Sequence, residues 1–156
     1  MRVREARPED AEAMSAVLVA SITELCCDDH GGRPEALAEW TADKTPEDMR
    51  RWLAKASDRL FVAEEGDGEI VGVGGFNAGG EVTLNYVAPS ARFRGVSRAM
   101  LATLEDRMRA SGITEARLDS TTTARRFYLE SGWREGEGAS ARFCNVRCRT
   151  MTKRLD

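Results

Sequence analysis

The sequence predicts a mixed α/β domain of mostly antiparallel sheet flanked by helices, and three observations predict it. Met14, Val17, Leu18, Ile22 and Leu25 fall on one helical face. Leu60–Glu64, Ile70–Phe76 and Val82–Val87 are strand-like runs separated by Gly66-Asp67-Gly68 and Asn77-Ala78-Gly79-Gly80, both turns of hairpin grade. After them strand and helix alternate, which argues for helices packed around one sheet. The 156 residues suit one domain, so residues 1–156 are read as a single unit.

The elements follow in order. Arg2–Arg7 alternates as a strand. Pro8-Glu9-Asp10 opens the first helix, with proline in the first turn and acids at the positive end of the dipole. Asp28-Asp29-His30-Gly31-Gly32 stops it. A short helix is expected around Glu35–Trp40. A better-signalled one starts at Thr45-Pro46-Glu47-Asp48, a threonine cap with an acid three residues on. The antiparallel meander comes next and ends at Ala88-Pro89. A long helix then runs to Ser111-Gly112, where glycine is a natural stop. Glu115–Asp119 reads as a strand, Thr121–Ser131 as a helix stopped by Gly132, and Trp133–Glu137 and Arg142–Thr152 as two last strands. With the two better-signalled helices counted first, the order is β-α-α-β-β-β-α-β-α-β-β.

Composition excludes several classes. Apolar residues make up 42% of the chain and charged residues 31%, the balance of a soluble globular protein and not of a disordered one. The longest aliphatic run is Ala16–Ala20, far short of the ~20 residues that span a bilayer. Met1-Arg2-Val3-Arg4-Glu5 has no apolar stretch behind it, so a cytoplasmic protein without membrane association is expected. Cys26, Cys27, Cys144 and Cys148 are too few for a disulfide scaffold and are read as reduced thiols. On a strand Cys144 and Cys148 would stand roughly 13 Å apart, too far to share a zinc ion. No metal is expected, and a catalytic cysteine would have only His30 as a basic partner.

Net charge is −3, but residues 1–81 carry 9 basic and 18 acidic side chains, while residues 82–156 carry 14 and 8. A polyanion would favour the second half and a cation the first. The acidic first half argues against nucleic acid as a partner.

The segment with most chemical content is a strand followed by Pro89, then Arg92-x-x-Gly95-x-Ser97 opening a helix. Free N–H groups of a first helical turn and the helix dipole make an anion site, and small residues let a diphosphate approach. It is neither a P-loop nor a dinucleotide fingerprint, because no Gly-Lys-Ser/Thr follows and Phe93 and Ser97 break the glycine pattern.

Tyr86-Val87-Ala88-Pro89 followed by Arg92-x-x-Gly95-x-Ser97-x-Ala99 resembles the acetyl-CoA motif of the GNAT N-acetyltransferase superfamily. Ala124-Arg125-Arg126-Phe127-Tyr128-Leu129-Glu130-Ser131-Gly132-Trp133 resembles the second signature of that superfamily. Ile70–Gly74 and Met151–Leu155 resemble its central hairpin and its ending, so the likeness spans nearly the whole chain. Phe93, Ser97 and Thr121 depart from the family pattern, which commonly has Gly, Gly or Ala, and Asn there.

The resemblance implies a GNAT-like fold and an acyl-CoA N-acyltransferase acting on a primary amine in a ternary complex. A non-catalytic acyl-CoA-binding sensor is the alternative, because fold does not fix activity. It implies acetyl-CoA as co-substrate, held by Tyr86, Val87, Arg92, Phe93, Arg94, Gly95, Val96, Ser97, Arg98, Thr121, Ala124 and Phe127. On their own, Phe127 and Tyr128 read as two packed aromatics; the resemblance makes Tyr128 the proton donor to the departing thiolate. Some members carry a general base where Glu81 stands, although a solvated hairpin residue reads equally well there. Asp28, Asp29 and His30 lie where the resemblance puts the acceptor, which the acidic half suggests is cationic. Asn85 shares strand parity with Glu81 and is expected at the same cleft. The exposed edge of a C-terminal strand could pair in a homodimer.

Overall fold

The computed structural model describes residues 1–142 and 146–156, and the side chains of residues 1–136 and 148–156. Cys144 lies outside the described residues. Strand β1 (Arg2–Glu5) leads through a 3₁₀ turn at Pro8–Asp10 into α1 (Ala11–Leu25). The acids beyond α1 do not simply end it. They form a further turn of helix, α2 (Cys27–His30), closed by Gly31 at φ +64°. α3 (Pro34–Thr41) and α4 (Pro46–Leu53) follow. The expected cap of α4 is present: Thr45 Oγ1 accepts from the Asp48 N–H at 3.2 Å, and Asp48 accepts from the Thr45 N–H at 3.1 Å.

The meander is β2 (Asp58–Glu65), β3 (Glu69–Asn77) and β4 (Val82–Val87), and with β1 it makes an antiparallel sheet ordered β1-β2-β3-β4. α5 (Val96–Ala110) leads to β5 (Glu115–Ser120), α6 (Arg125–Glu130), β6 (Arg134–Arg142) and β7 (Val146–Arg154). These last strands form a second antiparallel sheet ordered β5-β7-β6. The one continuous sheet expected is therefore divided. β4 and β5 run parallel and meet at a single bridge, Glu81 to Arg117, where the Arg117 N–H donates to Gly80 O at 2.9 Å. Beyond it the strands part.

Among the C-terminal strands the outer edge belongs to β6, because the last strand, β7, inserts between β5 and β6. The boundary of β7 is later than expected, since no glycine or proline between Ala139 and Thr150 marks where one strand ends and the next begins.

Helices cover both faces of the first sheet. Met14, Val17 and Leu18 of α1 and Met49 of α4 pack on Leu60, Val62, Val73 and Leu84. Val96, Met100, Leu104 and Met108 of α5 pack on the opposite side with Phe61 and Phe76. α5 sits close because β3 offers it glycine: a Cβ on Gly74 would stand 2.5 Å from Met100 Sδ. The start of α5 is thus seated firmly beside the gap between β4 and β5.

Candidate active site

The parting of β4 and β5 opens a cleft of about 550 Å³. Its floor and walls come from Val82–Val87 of β4, Leu118–Ser120 of β5, the loop into α5 and the segment into α6. Of the expected residues it gathers Asn85, Tyr86, Val87, Arg92, Phe93, Gly95, Val96, Ser97, Arg98, Thr121, Ala124, Phe127 and Tyr128.

The loop before α5 is shaped by two left-handed residues. Gly95 is at φ +82° and Phe93 at φ +65°, and Phe93 is the one non-glycine residue with positive φ among the described residues. A bulky side chain there costs about 1–2 kcal/mol. No side chain caps α5, and its first internal bond runs from the Ala99 N–H to Gly95 O at 3.0 Å. The N–H groups ahead of it open onto the cleft with the positive end of the dipole. Arg92 and Arg98 line the same end. Arg94 turns away and pairs with Glu65 at 2.9 Å.

Across the gap, α6 is shorter than expected because residues 122–124 form a turn instead of its first coil. Asp29 holds that turn, accepting from the Thr122 N–H at 2.6 Å, the Thr123 N–H at 3.3 Å and the Thr123 hydroxyl. The Ala124 N–H donates to Thr121 Oγ1 at 3.2 Å. α6 then aims Tyr128 into the cleft, with its ring between Phe127 and Trp133 at centroid distances of 5.1 and 5.8 Å. Asn85 Nδ2 donates to the Tyr128 hydroxyl at 3.3 Å. Burial pushes the phenol up to about 12, against a smaller downward pull from Asn85. It therefore carries its proton throughout the neutral range. Asn85 Oδ1 is buried and has no hydrogen-bond partner among the described residues, an acceptor left for a ligand.

Besides Arg94, four expected residues are not brought to the cleft lining. Glu81 stands at the mouth of the β3–β4 hairpin, where Asn77 Nδ2 donates to its carboxylate at 3.3 Å. Asp28 is exposed outside the cleft, and Asp29 is spent on the threonine turn. His30 is buried: its Nδ1 accepts from the Gly32 N–H at 3.0 Å, so Nε2 carries the proton and donates to Ile22 O at 3.0 Å. That is a structural histidine, closing α2 over Trp40.

The sequence reading missed Ser21, Leu25, Cys26, Asp119 and Thr123, which also line the cleft. Asp119 is the one carboxylate among the described lining residues, and its signal was a polar residue in a strand whose neighbours Leu118 and Ser120 are buried. Thr150 Oγ1 donates to it at 2.8 Å from the register position opposite on β7. Thr150 shares a β7 face with Cys148, which packs with Cys26, Ile22 and Trp40. Asp119 thus faces the α1–α3 layer, while Leu118 and Met151 face α5 and Tyr128. The charged lining residues are two arginines at one end and this carboxylate.

Cys26 is buried in that layer, and burial together with the nearby Asp29 charge pushes its thiol up to about 12. It is protonated and unfit as a nucleophile at neutral pH. Both acids make a stability prediction. Cys26 rises from 9.0 and Tyr128 from 10.0, each to about 12, so the folded chain holds protons that the unfolded chain releases. Their contribution is complete below pH 9 and should be lost as pH rises to about 12. Urea midpoints across that window should fall, and Cys26→Ala should flatten the early part of the fall. A flat wild-type profile would show that neither group is shielded.

Among the described residues no three His, Cys, Asp or Glu side chains converge as a metal site, and no helix is long and apolar enough to cross a membrane.

A search of curated proteins finds no match. Among solved structures, a GCN5-related N-acetyltransferase from Rhodopseudomonas palustris superposes with a TM-score of 0.85 at 24% identity, covering 98% of this chain and 94% of that one. The PaiA N-acetyltransferase from Thermoplasma acidophilum, solved in complex with coenzyme A, gives 0.81 at 18% identity and covers 98% of both chains. The aminoglycoside 6′-N-acetyltransferase from Enterococcus faecium gives 0.74 at 15% identity, covering 100% of this chain and 98% of that one. These likenesses establish the fold. The family model described as acetyltransferase (GNAT) domain matches residues 28–155. The chain therefore belongs to the GNAT acetyltransferases, a family of acyl-CoA N-acyltransferases.

Proposed function

We propose that this chain moves an acetyl group from acetyl-CoA to a primary amine by direct attack within one ternary complex. The observation that carries the reading is Tyr128: a phenol kept protonated by burial, at the parting of β4 and β5, in the same cleft as an uncapped helix start. The residues fit the co-substrate. The first-turn amides of α5 with Ser97, Arg92 and Arg98 suit its diphosphate. The unladdered edge of β4, with Tyr86 and Val87, suits an extended amide-bearing arm, and Asn85 Oδ1 can accept from an amide N–H. Its thioester supplies the activated acetyl group.

The roles of the side chains follow. The acceptor enters over the α1–α3 side, past Ser21, Leu25 and Cys26. As an ammonium it meets the Asp119 carboxylate, which lines the cleft, before Glu81, which acts only through water. Once a carboxylate or water has taken its proton, the amine nitrogen attacks the thioester carbon. The carbon–sulfur bond breaks, and Tyr128 gives its proton to the leaving thiolate. The nitrogen gives up its remaining surplus proton to water as the amide forms, and a proton returned through solvent restores the phenol. A covalent acetyl-cysteine route is disfavoured because the Cys26 thiol is protonated.

The CoA complex of the PaiA relative supports the cofactor half, and the acetyltransferase relatives support the amine half. The test is calorimetric titration with acetyl-CoA, followed by free-thiol release across a panel of amines. Binding with amine-dependent thiol release is expected. Binding with no release for any amine, and no effect of Tyr128→Phe, would replace the enzyme by a sensor.

A further inference from the structure

We infer that Phe93 is the platform on which the adenine ring of CoA stacks, with the Arg92 guanidinium beside it. The inference rests on the cofactor reading above and adds where the nucleotide lies. Phe93 lines the cleft, yet it is 89% exposed; among the described residues the next most exposed large hydrophobic one is Met1 at 57%. Its ring belongs to none of the core clusters. Its backbone sits at φ +65°, where an aromatic residue is strained. The fold thus holds a strained, bulky residue and gains no core packing from it. Strain kept in this way points to a ligand.

The chemistry of the side chain says which part of the ligand. A phenyl ring offers no donor to phosphate, so it does not serve the diphosphate beside it. What it offers is a π-face. Arg92 Cζ already stands 4.6 Å from the ring centroid, a cation–π pair that orients the ring and leaves the guanidinium free to reach phosphate oxygens. With the diphosphate on the first turn of α5 and the thioester near Tyr128, the nucleotide must leave the cleft past the loop, where Phe93 precedes Gly95. The planar group of CoA at that end is its purine. Stacking on an exposed aromatic is the ordinary way a protein holds a base without reading its edges.

The test is calorimetric titration of the wild type and of Phe93→Ala, Phe93→Gly and Phe93→Trp with two probes: CoA, and 4′-phosphopantetheine, which lacks the nucleotide. Loss of the ring should weaken CoA binding about 5- to 100-fold, as expected for losing one stacked base. The affinity for 4′-phosphopantetheine should not change. Phe93→Trp should bind CoA as the wild type does. Phe93→Gly should also unfold at a higher temperature than the wild type, because its strain is relieved, so its weaker binding cannot be blamed on misfolding. Equal CoA affinity in all variants overturns the platform and leaves the cofactor reading standing. An equal loss for both probes overturns it too, since the loop and not the base would then be affected. A wild type that binds neither probe overturns the cofactor reading and this inference with it.

Discussion

Tyr128→Phe should lower kcat roughly 100- to 10,000-fold, the loss expected when one acid–base group goes, and leave the dissociation constant of acetyl-CoA nearly unchanged. The substitution removes one oxygen and keeps the ring between Phe127 and Trp133. It also strands Asn85 Nδ2, which donates to that oxygen at 3.3 Å. The cost of that is about 1 kcal/mol of stability, to be checked by thermal unfolding so that a folding defect is not mistaken for a kinetic one. Because burial holds the phenol at about 12, its ionisation cannot shape the pH–rate profile at neutral pH. Asp119→Asn should lower kcat/KM for the amine acceptor, because the carboxylate lines the cleft, while Glu81→Gln should lower it less. Full activity in Tyr128→Phe would mean that solvent protonates the thiolate.

What the sequence disclosed and what it hid divide along one physical line. Local devices were legible. The Thr45–Asp48 cap lies within four residues, and the loop and uncapped start of α5 within six. A helix terminus creates its own anion site, so reading it needs no knowledge of the rest of the fold. Tyr128 needed the resemblance, because adjacent aromatics on a helix do not say which one faces a cleft. Features made by distant segments were not legible. Asp29 is 93 residues from Thr122, and the bond between them turns an expected acceptor-binding carboxylate into a brace for the segment before α6. The same bond explains why α6 starts at Arg125 and not at Thr121. Asp119 gains its meaning only from β7, which places Thr150 opposite it and Cys148 beside Trp40.

The charge division shows the same limit. The second half of the chain does supply Arg92 and Arg98, but it also supplies Asp119, so the two ends of the cleft do not correspond to the two halves of the sequence. The parting of the sheet was hidden for a related reason. One bridge at Glu81 and Arg117 decides it, and no local pattern in β4 or β5 announces that their pairing stops there.

Gly95→Asp should weaken acetyl-CoA binding by at least about 100-fold. Two unit charges 4 Å apart near a protein surface interact by roughly 4 kcal/mol, and the new carboxylate would stand beside the proposed diphosphate seat. It would also compete for the first-turn amides of α5, as an N-cap aspartate does. Space is not the obstacle, since a Cβ on Gly95 meets nothing within 4 Å. Backbone is a smaller one: at φ +82° any side chain is strained, and asparagine tolerates this region better than most. Gly95→Asn therefore separates the two effects, keeping the shape and removing the charge. It should lose much less affinity than the aspartate variant. The folded state should survive both changes, because the strain that aspartate adds is offset by its favourable place at the positive end of the helix dipole. Thermal unfolding without ligand checks this, and titration at rising ionic strength checks the rest. If the loss in Gly95→Asp is electrostatic, salt should narrow the gap between the aspartate and asparagine variants. Equal losses in both, independent of salt, would place the diphosphate somewhere other than the start of α5.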